Sequence, residues 1–240
     1  MGLRGDARIE TVSGAIPMMD LVEASSDNLD FSTQLFTWNG ARLCVTTATD
    51  FRSLGAHQIF AVVLDDRSTL HVSAGTQFIL RRGDLKRPPE LENQDSLLPL
   101  YLSTDNHGYS VFKEPKTSQL RKLSWLVAEW KLGRPLEKGD IVNHIDRDRK
   151  NYHPDNLKIT HNKAMATKTR KYGLVKAANE ANELLDECIS LSPKLAQVIK
   201  KRNHRVVSVE PSIMEEVFTA TVTNSQTVAV SGVFLKLPSC

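Results

Sequence analysis

The chain has 240 residues, 40% hydrophobic and 25% charged, an ordinary globular balance with room for one large domain or two small ones. No apolar run reaches the roughly 18 residues of a membrane span. The three cysteines, Cys44, Cys188 and Cys240, lie far apart with no CxxC pair, which argues against a disulfide framework or a thiolate zinc site and for a reducing compartment, read as the cytoplasm. The net charge of +3 is unevenly spread: residues 121–171 hold 13 Lys and Arg against 6 Asp and Glu, the rest of the chain 18 against 22. A basic stretch of this kind is what a phosphate backbone requires, although on charge alone a solvated surface is the favoured reading.

In chain order, MGLRGDARIE is too polar for a secretory leader. Residues 2–22 read as two short strands around the Ser13-Gly14 turn. Further strands are predicted at 36–37, 42–47, 58–65 and 69–73. In the third of these, Ile59, Ala61 and Val63 alternate with Phe60, Val62 and Leu64, so both faces are apolar and cover is expected on both sides. Asp65 to Ser68 is a turn. Short strands at this spacing argue for an all-β module. Residues 101–123 include a His107-Gly108 turn and a basic strand pair, 110–112 and 120–123. Residues 125–132 read as a helix stopped by Gly133.

Residues 141–160, IVNHIDRDRKNYHPDNLKIT, combine a β-branched pair, the Asn143-His144 pair and a tight polar loop containing Asn151, closed by Asn156-Leu157. Beyond Thr160 the sequence is basic and helix-compatible. Leu174, Ala177, Ala178, Ala181, Leu184, Leu185 and Cys188 then recur at helical spacing. Ser192-Pro193 opens a second helix ending in Lys200-Lys201-Arg202, and the two helices read as a strut.

Residues 141–160 resemble the core of the HNH nuclease family, (D/H/N)-H-I-D-G-x-x-x-N-N-x-x-x-N-L, at Asn143, His144, Ile145, Asp146, Asn151, Asn156 and Leu157. Arg147 stands where that family often has Gly, and Tyr152 where it often has a second Asn. LVAEWKLGRPLEKGD at 126–140 resembles the family's lead-in. The resemblance implies a ββα-metal unit with His144 as general base, Asn143 as first metal ligand, and Asn156 tying the loop to the base strand. It implies a further ligand on the following helix, where Ala164 or Met165 falls. His161 and Asn162 are the nearest coordinating side chains, and His161 is taken as the second ligand. The implied cofactor is Mg²⁺ or another divalent cation, and the partner double-stranded DNA, with Arg147, Arg149, Lys150, Lys168, Arg170 and Lys171 as phosphate contacts.

A second resemblance flanks the first. Residues 5–22, 61–100 and 203–232 resemble the opening, second and closing blocks of the intein and Hedgehog-type (Hint) family; Gly83, Pro88, Leu91, Asp95 and Leu97 fall in the second. Splicing in that family needs a Cys or Ser where Gly2 stands, and a Thr-x-x-His where Ser73-Ala74-Gly75-Thr76 stands. It needs an Asp or Cys where Thr219 aligns, and a His-Asn pair where Pro238-Ser239 precede Cys240. No splicing residue is therefore assigned.

The reading is an α+β chain. A discontinuous all-β Hint-like module (2–100 and 203–240) carries an inserted ββα-metal HNH module with a helical strut (101–202). The expected function is metal-dependent, homing-type DNA cleavage, one nick per site, in a phage or bacterial cytoplasm. The alternative is a DNA-binding protein on the same surface without nuclease activity. Residual splicing is the third reading. The sequence carries no signal of membrane association or of oligomeric state.

Overall fold

The computed structural model describes residues 2–115, 119–162, 204–223 and 227–237. The chain divides into two compact units, one of Met1–Leu100 with Ile199–Cys240, the other of Tyr101–Val198. The first unit begins with β1 (Arg8–Thr11), β2 (Gly14–Pro17), α1 (Met18–Asp27), β3 (Ser32–Trp38), β4 (Leu43–Leu64), β5 (Thr69–Ser73), β6 (Gln77–Ile79) and β7 (Leu85–Lys86). The second contributes β8 (Tyr101–Thr104), β9 (Ser110–Lys113), β10 (Leu120–Lys122), α2 (Leu123–Leu132), β11 (Asp140–His144) and β12 (Leu157–His161). The first then resumes with β13 (Val206–Val222), β14 (Thr227–Val230) and β15 (Val233–Lys236).

The first unit is one curled antiparallel sheet in the order β13-β4-β3-β1-β14-β15-β6-β7, with β2 paired to β1 and β5 to β4. Its two sequence halves interleave, because β14 runs beside β1 and β15 beside β6. Phe36, Phe78, Phe234, Leu3, Met18 and Leu64 are fully buried in it, and Leu3, Met18, Leu64 and Phe78 belong to one core cluster. Truncating one such Phe to Ala typically costs about 3–5 kcal/mol.

The expected hairpin at 2–22 is present, with Gly14 taking the positive φ (110°) that its turn requires. Its second strand stops at Pro17, however, and residues 18–22 are helical. Proline has no N–H to extend the ladder. Met18 and Leu21, one turn apart, bury the inner face of α1. The strands expected at 42–47 and 58–65 are one 22-residue strand, β4. Its middle, around Leu54 to Gln58, is mostly exposed and therefore lacks the apolar alternation that marks a half-buried strand. Asp50 and Gly55, both at positive φ, bend it, and β13 follows with register shifts along the bend. In the segment expected to be covered on both faces, Ile59, Val62 and Leu64 are buried, whereas Phe60, Ala61 and Val63 are only half-buried.

The second unit contains a three-stranded antiparallel sheet, β10-β9-β8, and a two-stranded ribbon, β11-β12. Helix α2 packs against β9, β11 and β12 through a face that buries Leu123, Leu126, Val127 and Ala128. It begins two residues before the expected start, so Leu123 is helical rather than the end of a strand. Gly133 closes it in the left-handed conformation, φ 65°, its N–H bonded to the Trp130 carbonyl. The two helices expected at 174–202 lie outside the described residues.

Candidate functional site

His144 is the last residue of β11, opposite Leu157. Side chains alternate along a ribbon, so Val142, His144, Leu157 and Ile159 share one face, the less exposed one. Nε2 of His144 is buried without a hydrogen-bond partner. The ring of Tyr109 stands 5.8 Å away, centroid to centroid. Tyr109 is itself fixed by the preceding turn, its N–H donating to Asp105 Oδ1 at 2.9 Å. Two cations lie over the tyrosine ring: Lys122 Nζ at 3.3 Å from the centroid and the Arg149 guanidinium at 5.0 Å. Burial pushes the His144 pKa below its ordinary value, and the charge of Lys122 adds to the effect against the opposing pull of Asp146. A neutral imidazole is the form that accepts a proton.

The loop after His144 is braced by one side chain. Asn156 Oδ1 accepts from the Asp146 N–H at 3.0 Å, while Nδ2 donates to Asp146 Oδ1 at 2.9 Å and to the Asn151 carbonyl at 2.8 Å. A carboxamide offers an acceptor oxygen and an NH₂ with two donors on one short side chain, so neither Asp nor Leu reproduces this brace. Asn151 Nδ2 adds a bond to Asp146 Oδ2 at 2.7 Å. Between them Arg147 occupies the left-handed region at φ 66°.

The expected metal ligands are not brought together. Asn143 is exposed and, by alternation, points to the opposite face of the ribbon from His144. His161 is the end of β12, not part of a helix, and pairs with Asp140 at the far end of the ribbon. Four residues at about 3.4 Å each separate it from the level of His144. Its Nδ1 lies 2.9 Å from Asp140 Oδ1, and Asp140 is also held by Arg134 at 2.7 Å. Arg134 first, then the Glu137 N–H and His161, keeps the Asp140 carboxyl well below the usual carboxylate range. His161, expected as the second ligand, thus stands in a cluster with Asp140 and Arg134 at the end of the ribbon away from His144. The described residues contain no group of three His, Cys, Asp or Glu able to hold a metal. The stretch carrying Ala164 and Met165 lies outside them.

Of the six expected phosphate contacts, Arg147, Arg149 and Lys150 are exposed on the loop. Arg149 also donates to the His107 carbonyl at 2.7 Å. Lys168, Arg170 and Lys171 lie outside the described residues. Sequence reasoning missed Tyr109, Lys122 and Trp125. They come from a turn, a strand end and a helix start, so no local motif marks them.

In the first unit, the groups at the aligned splicing positions are tied to one another. The Gly2 N–H donates to Ser73 Oγ at 2.6 Å, Thr76 Oγ1 donates to the Gly2 carbonyl at 3.1 Å, and Ser73 and Thr76 lie 3.2 Å apart. A Cβ on Gly2 would fall 2.6 Å from Val217 Cγ2 and 2.8 Å from Val217 Cβ. No side chain fits there as the site stands. Thr219 is buried, with an unpartnered hydroxyl. Pro238 and Ser239 lie outside the described residues.

No sequence-family model and no curated protein matches the chain. Solved structures do. A point mutant of an Ssp DnaB mini-intein variant superposes with a TM-score of 0.51 at 12% identity, covering 99% of each chain. The DnaB intein from Synechocystis sp. superposes with a TM-score of 0.50 at 10% identity, again over 99% of each chain. The fold is intein-like. At such identity the likeness extends to the mostly-β, curled architecture and not to chemistry. Within the intein-like fold, the tied groups around Gly2 leave no room for a nucleophile's side chain. No helix among the described residues is long and apolar enough to cross a membrane.

Proposed function

We propose that this chain is a DNA strand-cleaving enzyme on an intein-derived scaffold that no longer splices. The observation that carries the reading is His144: a strand-end imidazole with an unpartnered Nε2, beside a braced loop and a cluster of cations. Buried polar atoms are almost always paired, so an unpaired one calls for an explanation. Here a water admitted with substrate is a partner for Nε2. His144 takes its proton as the water's oxygen attacks phosphorus, and the leaving strand oxygen departs on the opposite side. Arg149 and the loop cations Arg147 and Lys150 offset the charge that gathers on the phosphate. One such site cuts one strand, so each encounter yields a nick.

A divalent cation would polarise the phosphate oxygens and stabilise the leaving group. Of the two implied ligands, Asn143 lies on the face away from His144 and His161 at the far end of the ribbon, so the ligand set is incomplete among the described residues and the roles above use the chain's own groups. That incompleteness favours a second reading, a DNA-binding protein without nuclease activity on the same basic surface. Supercoiled plasmid incubated with the protein, with and without Mg²⁺, separates the two. The enzyme reading expects open-circular product that His144→Ala lacks. Absence of nicking by the parent protein across divalent cations leaves the binding reading in its place.

A further inference from the structure

The N-terminus of α2 brings together groups to which the cleavage reading gives no role in the reaction. Lys122 is the N-cap residue, and no side chain caps the helix there, so its first backbone N–H groups stay open to an acceptor. The Lys122 ammonium is held over the Tyr109 ring at 3.3 Å and stands 5.7 Å from the Trp125 ring. Among the described residues no carboxylate forms an ion pair with it. Asp105, the acidic group nearest in the same turn, already accepts the N–H groups of His107 and Tyr109. Trp125, in the first turn of α2, is 42% exposed, which is unusual for the largest aromatic side chain. Tyr109, one wall of this cluster, is also the ring that faces His144.

We propose that Lys122, Tyr109 and Trp125 form a subsite that holds one unpaired DNA strand beside His144, Lys122 on a phosphate and Trp125 stacked on a base. The inference deepens the cleavage reading and rests on it for the position of the strand. A cation held between two rings has lost its rotamer freedom before binding, so little is left to lose when a phosphate arrives. An exposed indole recognises a flat apolar face. In a duplex those faces are covered by neighbouring bases, whereas an unpaired strand presents them. The subsite therefore favours single-stranded, frayed or distorted DNA.

Tryptophan fluorescence of the full chain tests this, titrated with a short oligodeoxythymidylate in EDTA and compared with a blunt duplex of equal length. The chain has three tryptophans. Trp38 is buried in the first unit and Trp130 is half-buried, so quenching reports mainly on Trp125. Expected are quenching by the single strand in preference to the duplex and its loss in Trp125→Phe. Lys122→Gln is expected to weaken affinity roughly 5- to 100-fold, whereas Lys122→Arg retains it. Equal quenching by the duplex, quenching that persists in Trp125→Phe, or unchanged affinity in Lys122→Gln overturns the proposal. If single-strand affinity depends on Lys122 but the parent never nicks plasmid, the subsite stands and the cleavage reading falls. If the parent nicks through His144 while Lys122→Gln binds oligonucleotide as the parent does, the subsite falls and the cleavage reading stands.

Discussion

Around Gly2 polar groups are closed on each other; around His144 they are left open. In the first unit Gly2, Ser73 and Thr76 exchange hydrogen bonds among themselves, and Val217 fills the space beside the glycine. In the second unit an imidazole nitrogen has no partner, and two cations rest on an aromatic ring rather than on carboxylates. A backbone that only has to persist gains from satisfying every group and filling every gap. A site that has to meet a ligand keeps groups unmatched, and the rest of the unit supplies the stability that this costs. The proposed cleavage reading rests on this contrast, with the chemistry in the second unit and the first as its scaffold.

The largest effect that tests this contrast lies at His144. His144→Ala is expected to lower the plasmid nicking rate by about 10²–10⁴-fold, the usual contribution of a positioned base. DNA affinity should stay nearly constant, because the imidazole need not grip the duplex. The pH profile sharpens the point. Burial lowers the His144 pKa, so its neutral form persists to lower pH and the acid limb of nicking should lie below the ordinary histidine value of about 6.5. Removing the positive charge at Lys122 takes away one of the lowering influences, so Lys122→Gln should move the limb upward. Nicking by His144→Ala at the parent's rate would refute the base assignment.

Gly2→Ala tests the other side. Its Cβ would overlap Val217, and forcing an added carbon into a filled core typically costs about 1–3 kcal/mol. Thermal unfolding should show a lower Tm. Gly2→Cys in a chain with foreign sequences fused at both ends should give no ligated product on a denaturing gel. An unchanged Tm or a ligated band would mean that this site is not closed.

Sequence patterns made some of this legible, and the reasons differ by element. The turns at Gly14 and Gly133 were readable because each needs a positive φ that glycine supplies. β5 was readable because Leu70 and Val72 point inward while Thr69 is exposed. β8 was not, since Leu102, Ser103 and Thr104 are exposed and leave no alternation. The brace formed by Asn156 is local, within ten residues of its partners, and a motif can capture it. The cluster of Tyr109, Lys122 and His144 is assembled from three separate elements, and no spacing rule spans it. His161 was misplaced for a related reason. Its neighbours up to Thr160 look like a strand and those after it like a helix, and only the pairing with Asp140 decides its place.

A smaller effect concerns binding. Arg147, Arg149 and Lys150 are exposed on the loop beside His144, and each phosphate contact releases counterions. Replacing all three by Gln should flatten the dependence of DNA affinity on salt by up to about three contacts' worth. Because Arg149 also rests on Tyr109 and the His107 carbonyl, its single replacement should affect the slope and local order together. Fluorescence anisotropy at several salt concentrations reads the slope. An unchanged slope would show that the three charges face only solvent.

The smallest effect is the most local. Arg147 sits at φ 66°, where an L-residue with a β-carbon is crowded and glycine is not. The turn holds it there through the Arg147 N–H bonded to the His144 carbonyl at 3.2 Å and through the bonds of Asn156 to Asp146. Relief of the crowding favours Arg147→Gly, while the greater freedom of an unfolded glycine opposes it. At a positive-φ site the first term is the larger, so a gain of about 0.5–1 kcal/mol is expected, read as a higher denaturation midpoint. DNA affinity should move the other way, because a cation beside His144 is lost. If Arg147→Gly raised stability and left DNA affinity untouched, Arg147 would belong with the closed scaffold around Gly2 and not with the open site around His144.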